Sequence, residues 1–347
     1  MTSRPHHPLR VLIASSLDEA HVRRIEDVDP RVQVLYAPEL LPEPRYVADH
    51  HGVPRSLDSA QTAAWLDLLG QAQVSFDFDW YQPELMAKNA PQLKWVQATS
   101  SGIGEFLHST GLVETDVTFT TAAGVHAIPL SEFVMLGLLY LIKDVPMLRD
   151  RMAGHDWQRY TARSLAGRKA LVVGMGHVGR SVAEYLDSAG LNVVGASRSP
   201  QPPPTSVSQV ISLQELSMVL PSIDVLVLCC PLTTATHHLI GAAELAALPQ
   251  GALVANVARG QVIDEQALIA SLLSGHLGGA ALDVVETEPL PVSSPLWAMP
   301  NVLISPHSAS TLSDENDKIV DIFTDNLRRW LDGRQLRNRF TRADSIT

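Results

Sequence analysis

Short runs of branched apolar residues recur along the chain, separated by stretches whose apolar positions return every three or four residues. In the first third, Arg10 to Ser15, Val32 to Tyr36, Val74 to Phe78, Leu93 to Ala98 and Val117 to Thr120 have the composition of strands. Between them, Asp18 to Val28 and Leu57 to Leu69 have helical periodicity, the first capped by Asp18 and the second predicted to stop at Gly70. This βα alternation predicts an α/β domain with a doubly wound parallel sheet, covered on both faces.

The apolar stretch Pro129 to Leu148 has helical length and is expected to connect this domain to a second βα series. That series predicts strands at Arg168 to Val173, Asn192 to Ala196, Asp224 to Cys230, Ala252 to Val257, Ala280 to Val284 and Val302 to Ile304. Ser181 to Ser188 and Glu265 to Ser274 are predicted helices, the latter capped by Asp264 and stopped at Gly275. Beyond His307, Leu312 to Leu331 has the pattern of a long amphipathic helix. The tail is too short for a third domain and should pack back on an existing one.

Composition sharpens this outline. At 347 residues and 46% hydrophobic, the chain exceeds the usual size of a single core, so two domains are expected. A net charge of -11, with no contiguous basic block, argues against nucleic acid and anionic membranes as partners. The longest apolar run, Phe133 to Ile142, falls well short of the roughly 20 residues that cross a bilayer. The adjacent Cys229 and Cys230 exclude a disulfide framework and suggest buried thiols in a reducing, cytoplasmic protein. Leu41 to Ser56, rich in proline, reads as a surface loop in which His50 and His51 are solvated.

One motif changes the picture from fold to chemistry. Gly174-Met175-Gly176-His177-Val178-Gly179 follows an apolar strand and opens a helix, the context that gives a G-x-G-x-x-G sequence its meaning as the dinucleotide cradle of a Rossmann domain. Gly174 permits the turn, Gly176 admits a pyrophosphate, and Gly179 lets helix and strand approach. About 20 residues on, where an acidic residue would hold the ribose hydroxyls of NAD, the chain has Ser197-Arg198-Ser199. The missing carboxylate and the guanidinium of Arg198 favour the 2′-phosphate of NADP(H), with NAD(H) the alternative.

Ligands in such sheets bind beyond the carboxyl ends of the strands. There the chain places Pro231-Leu232-Thr233, Asn256 to Gly260, Asp283 to Pro289 and Ser305-Pro306-His307. Reducing a 2-keto acid requires a proton donor, a cation for the carboxylate and carbonyl, and a hydride source. His307 and Arg259 suit the first two roles. Glu288 is the candidate carboxylate that favours the imidazolium and keeps a proton available near neutral pH. Pro231, Val257 and Ala258 are assigned to the cofactor side. Glu286 is expected to be exposed, and His126 and His177 to be structural or solvent-facing; no spacing of His, Cys or carboxylates suggests a metal.

Together, Asn256 to Gly260, the Asp283 to Pro289 box and Ser305-Pro306-His307 resemble the D-2-hydroxyacid dehydrogenase family over nearly all of the second domain. The resemblance implies Arg259 as the substrate-binding arginine, Glu288 as the partner of the histidine, His307 as general acid and base, and Asp283 facing the nicotinamide carboxamide. It implies that Ser100, Ser101, Gly102 and Ile103, in a glycine-containing loop after a strand, hold the substrate carboxylate through backbone amides. It also implies a homodimer, with the helix after Pro129 as contact, and a discontinuous layout. In that layout residues 1–120 and 309–347 form a flavodoxin-like substrate domain, and 121–308 the inserted Rossmann domain. Ser197-Arg198-Ser199 looks most like the NADPH-dependent glyoxylate and hydroxypyruvate reductases of the family. A second reading is a nucleotide-sensing interaction protein, since corepressors in the family share the scaffold.

Overall fold

The computed structural model describes residues 8–54, 56–199 and 201–341. The described residues divide into two compact units, one formed by residues 8–125 and 311–341, the other by His126–Ser310. The boundaries thus fall a few residues later than the 120/121 and 308/309 anticipated above.

In the first unit, β1 (Leu9–Ile13), β2 (Val32–Leu35), β3 (Val74–Phe76), β4 (Trp95–Gln97) and β5 (Thr118–Thr120) form a five-stranded parallel sheet in the order β2-β1-β3-β4-β5. Both faces are covered: Leu12, Phe78, Val96 and Leu107 belong to the core on one side, Val11, Phe76, Trp95 and Phe323 to that on the other. The C-terminal helix Glu315–Leu331 packs on the second face, where Phe323 meets Phe76 edge-on at 5.2 Å between ring centres. Asn326 of that helix bonds Gln97 Oε1 at 3.2 Å, and Gln97 also accepts from Thr120 Oγ1 at 2.8 Å, so the buried polar groups of β4 are satisfied by the tail.

The second unit contains β6 (Lys169–Val173), β7 (Asn192–Ser197), β8 (Gln209–Ser212), β9 (Val225–Leu228), β10 (Ala252–Asn256), β11 (Leu277–Leu282) and β12 (Val302–Ile304). They form a seven-stranded parallel sheet, ordered β12-β11-β10-β9-β6-β7-β8. All four residues of β9, Val-Leu-Val-Leu, are buried, as a central strand between two helical layers requires. Register aligns the strand ends, with Leu282, Asn256, Leu228, Val173 and Ala196 opposite one another in succession. Whatever follows each strand therefore emerges along one edge.

Several local expectations are corrected. The helix predicted to stop at Gly70 spans Ser59–Gln71 and runs through that glycine; its boundary is set at the other end by a capping box between Asp58 and Gln61. Pro129 to Leu148 is two helices, Ala127–Ile142 and Val145–Ala153, because Asp144 adopts φ 54° and caps the second while Pro146 sits in its first turn. Strand β8 was not anticipated. Among the described residues no helix is long and apolar enough to cross a membrane.

Candidate active site

The glycine loop follows β6 and leads into the helix His177–Ser188. Gly174 has φ 100°, and a Cβ there would lie 2.6 Å from the backbone of Cys230, so both conformation and space demand glycine. Its amide donates to Ala196 O at 2.8 Å. At Gly179 a Cβ would meet Gly174 O at 1.8 Å, which fixes the helix against the turn. Gly176 differs: a Cβ there would meet nothing within 4 Å, so its glycine serves no packing need inside the protein. A helix N-terminus with amide donors beside that bare backbone fits a dinucleotide pyrophosphate. Met175 turns its side chain over Gly195 of the neighbouring strand, while His177 is exposed and Val178 half-buried.

Ser197 ends β7, and Arg198 and Ser199 follow it exposed, one strand away from the cradle. Pro231 follows β9, its carbonyl accepting from Thr236 Oγ1 at 2.7 Å. Burial raises both neighbouring thiols, that of Cys230 to about 12, so neither is a thiolate at neutral pH.

After β10 the chain turns through buried Val257 and Ala258 into Arg259. Asn256 shapes this turn, accepting from Ala258 N at 3.0 Å and donating to Arg259 O at 3.1 Å. Gly260 follows because a Cβ there would strike Val285 O at 1.9 Å. Arg259 Nη1 donates to Ala258 O at 2.7 Å.

Glu288 and His307 come together from the turns after β11 and β12. Glu288 Oε2 lies 2.8 Å from His307 Nδ1, and Oε1 accepts from Val285 N at 3.3 Å. Partial burial opposes the carboxylate's charge, yet His307, the Val285 amide and Arg259 outweigh it and hold Glu288 below the ordinary glutamate range. His307 itself takes φ 54° and donates its amide to Asp283 O at 2.8 Å. Asp283, 3% exposed, accepts from Ser308 N at 3.0 Å and Ala309 N at 2.9 Å through Oδ1. That Asp283 holds the turn presenting the histidine escaped the sequence reading. With Nδ1 engaged, Nε2 is the ring nitrogen left for proton exchange.

Glu286 is half-buried and not the exposed bystander expected. It pairs with His238 Nε2 at 3.0 Å and accepts the Glu265 amide at 3.4 Å, capping that helix. In the first unit, the loop after β4 exposes Ser100, Ser101 and Gly102 and buries Ile103. Of the two loop histidines, His51 is exposed as expected, its ring edge-on to Trp80 at 4.1 Å, whereas the His50 side chain is only 9% exposed.

A parallel sheet with a glycine cradle at one strand end and a carboxylate-paired histidine at another defines a dinucleotide-dependent oxidoreductase. Residues 135–309 match the family model described as D-isomer specific 2-hydroxyacid dehydrogenase, NAD binding domain, and the chain belongs to this family. Among curated relatives, an (S)-sulfolactate dehydrogenase of Chromohalobacter salexigens is 32% identical over 220 residues, 63% of this chain and 71% of the relative. A glyoxylate/hydroxypyruvate reductase of Arabidopsis thaliana is 29% identical over 257 residues, 72% of this chain and 77% of the relative. Among solved structures, a D-isomer specific 2-hydroxyacid dehydrogenase of Xanthobacter autotrophicus in complex with NADPH and MES is 29% identical with a TM-score of 0.78, over 97% of this chain and 99% of that one.

Proposed function

We propose that this chain reduces a small 2-keto acid of the glyoxylate or hydroxypyruvate type to the D-2-hydroxy acid with NADPH. The observation that carries the reading is the 2.8 Å contact between Glu288 and His307, which follow β11 and β12, three and four strands from the cradle strand β6 on the same sheet edge. Bound NADPH supplies the hydride for the carbonyl carbon. His307 Nε2 gives the carbonyl oxygen its proton, and Glu288 stabilises the imidazolium beforehand. Arg259 binds the substrate carboxylate and polarises the carbonyl, a role suited to a planar, always-charged guanidinium. The cradle Gly174 to Gly179 holds the pyrophosphate, Asp283 the nicotinamide amide through Oδ2, and Pro231, Val257 and Ala258 the adjoining wall.

Arg198 with Ser197 and Ser199 takes the 2′-phosphate; support comes from the absent carboxylate at the end of β7 and from the NADPH-bound relative. Ser100 to Ile103 of the first unit holds the substrate carboxylate by backbone amides. The exposed Ile128 and Leu136 of helix Ala127–Ile142, each 56% exposed, support a homodimer built on that helix, measurable by sedimentation. Reduced thiols accord with a cytoplasmic enzyme. The test is a spectrophotometric panel of glyoxylate, hydroxypyruvate and 3-sulfopyruvate with NADPH and with NADH. Fastest turnover of glyoxylate or hydroxypyruvate with NADPH is expected, and preference for the sulfonated acid or for NADH would overturn the corresponding half of the reading.

A further inference from the structure

The first unit contains a buried acid that the reaction above leaves without a role. Asp77 follows β3, is wholly buried and takes φ 71°, a conformation that aspartate tolerates better than most residues. Its amide donates to Gln97 O at 2.8 Å, continuing the ladder to β4, and its carbonyl accepts from Ser75 Oγ at 2.7 Å. Oδ2 accepts from the indole of Trp80 at 2.9 Å. Thr99, where the loop after β4 begins, brings its amide and hydroxyl toward the same carboxyl. Oδ1 completes no hydrogen bond of its own.

A fully buried carboxyl with one oxygen unsatisfied is costly, and a left-handed backbone adds to the cost. Its surroundings show what this cost holds in place. The loop is anchored at Ser100, whose carbonyl accepts from Ala122 N at 3.0 Å, and at Ile103, 2% exposed. At the entry, Thr99 faces the Asp77 carboxyl. Trp80 fixes Asp77 from behind, its ring packed against Phe106 at 5.1 Å and His51 at 4.1 Å. Burial pushes the Asp77 carboxyl up to about 7, against the Trp80 indole and the groups of Phe78 and Thr99. In its protonated form the acid can donate to the Thr99 hydroxyl.

We propose that Asp77 is a positioning residue for the loop Thr99 to Ile103, setting how well that loop receives a substrate carboxylate. This rests on the reading of that loop as the carboxylate holder. The test is steady-state kinetics with NADPH and whichever of glyoxylate and hydroxypyruvate is turned over faster. Asp77→Ala should raise the keto-acid KM about tenfold, with kcat changed less than about threefold and the NADPH KM unmoved, the pattern of lost substrate binding alone. Asp77→Asn tolerates the same backbone, accepts the indole N–H and offers Thr99 a donor, so it should return KM to within about threefold of the parent. Trp80→Phe keeps a ring and removes the donor, and should raise KM about threefold even if Asp77→Ala fails to fold. Gly102→Pro deletes a loop amide: unchanged KM there would remove the carboxylate-loop reading. A raised KM in Gly102→Pro beside normal KM in Asp77→Ala or Trp80→Phe, or an Asn variant as impaired as Ala, would overturn the role of Asp77 alone.

Discussion

Glu288 Oε2 stands 2.8 Å from His307 Nδ1 while Oε1 of the same carboxylate accepts the Val285 amide, so the acid is held at both oxygens and the imidazole at one nitrogen. The contact fixes the ring by its Nδ1 edge and leaves Nε2 for the proton exchange proposed above.

Glu288 lies below its ordinary range and is anionic through neutral pH, so a negative charge faces His307 Nδ1. In Glu288→Gln a neutral amide replaces the anion that faces Nδ1, so kcat/KM should fall by at least about tenfold. Steady-state kcat/KM of parent and variant checks this; an unchanged value refutes the coupling between the two side chains. Stability follows the same pair. The contribution of a depressed carboxylate is complete above the unfolded glutamate value of about 4.3 and vanishes as pH falls through the folded one. Half exposure keeps it within the ~1 kcal/mol of surface pairs, and the melting temperatures of parent and variant should converge in acid.

His307→Asn suits the left-handed backbone at that position and removes the acid–base group. We expect kcat to fall by about 10²–10⁴ with NADPH binding retained, as read by nucleotide fluorescence titration. Turnover near the parent rate would exclude His307 as proton donor.

Two glycines of the cradle should fail in different ways. Gly179→Ala places a methyl 1.8 Å from Gly174 O and should lower the melting temperature, displacing the helix. Gly176→Ala meets no protein atom and should melt as the parent does, while NADPH affinity drops at least about tenfold, since the methyl occupies the pyrophosphate approach. Calorimetry with and without NADPH separates the two outcomes.

Arg198→Ala should raise the KM for NADPH about 10- to 100-fold, the range of one or two charge-assisted hydrogen bonds, and leave that for NADH nearly unchanged. Equal effects on both cofactors would show that Arg198 does not read the 2′-phosphate.

Legibility in the sequence followed physical strength of signal. The buried strands and the glycine loop were plain because continuous apolar runs and a turn demanding φ 100° admit few alternatives. The helix break at Asp144 was hidden, since apolar residues continue across it and only Pro146 two residues on marks the restart. Strand β8 is a four-residue edge element with a single buried position, Ile211, too short for periodicity to register. The pairing of Glu288 with His307 was legible from a recognisable box, whereas Glu286, two residues earlier and expected to be exposed, pairs with His238. Asp77 was absorbed into the predicted strand Val74 to Phe78. The available signal was an acid at the carboxyl end of a strand that should otherwise be wholly apolar.

The flush register of the second sheet also makes it a ruler. From β11, whose end carries Asp283, to β7, whose end carries Arg198, there are four strand-to-strand steps, about 19 Å at about 4.8 Å each. Groups so far apart make no direct contact, so their energetic effects should sum. The loss in kcat/KM for an Arg198→Ala, Glu288→Gln double variant should be the product of the single losses, and cofactor choice can be rewritten at one end of the edge without retuning the acid at the other.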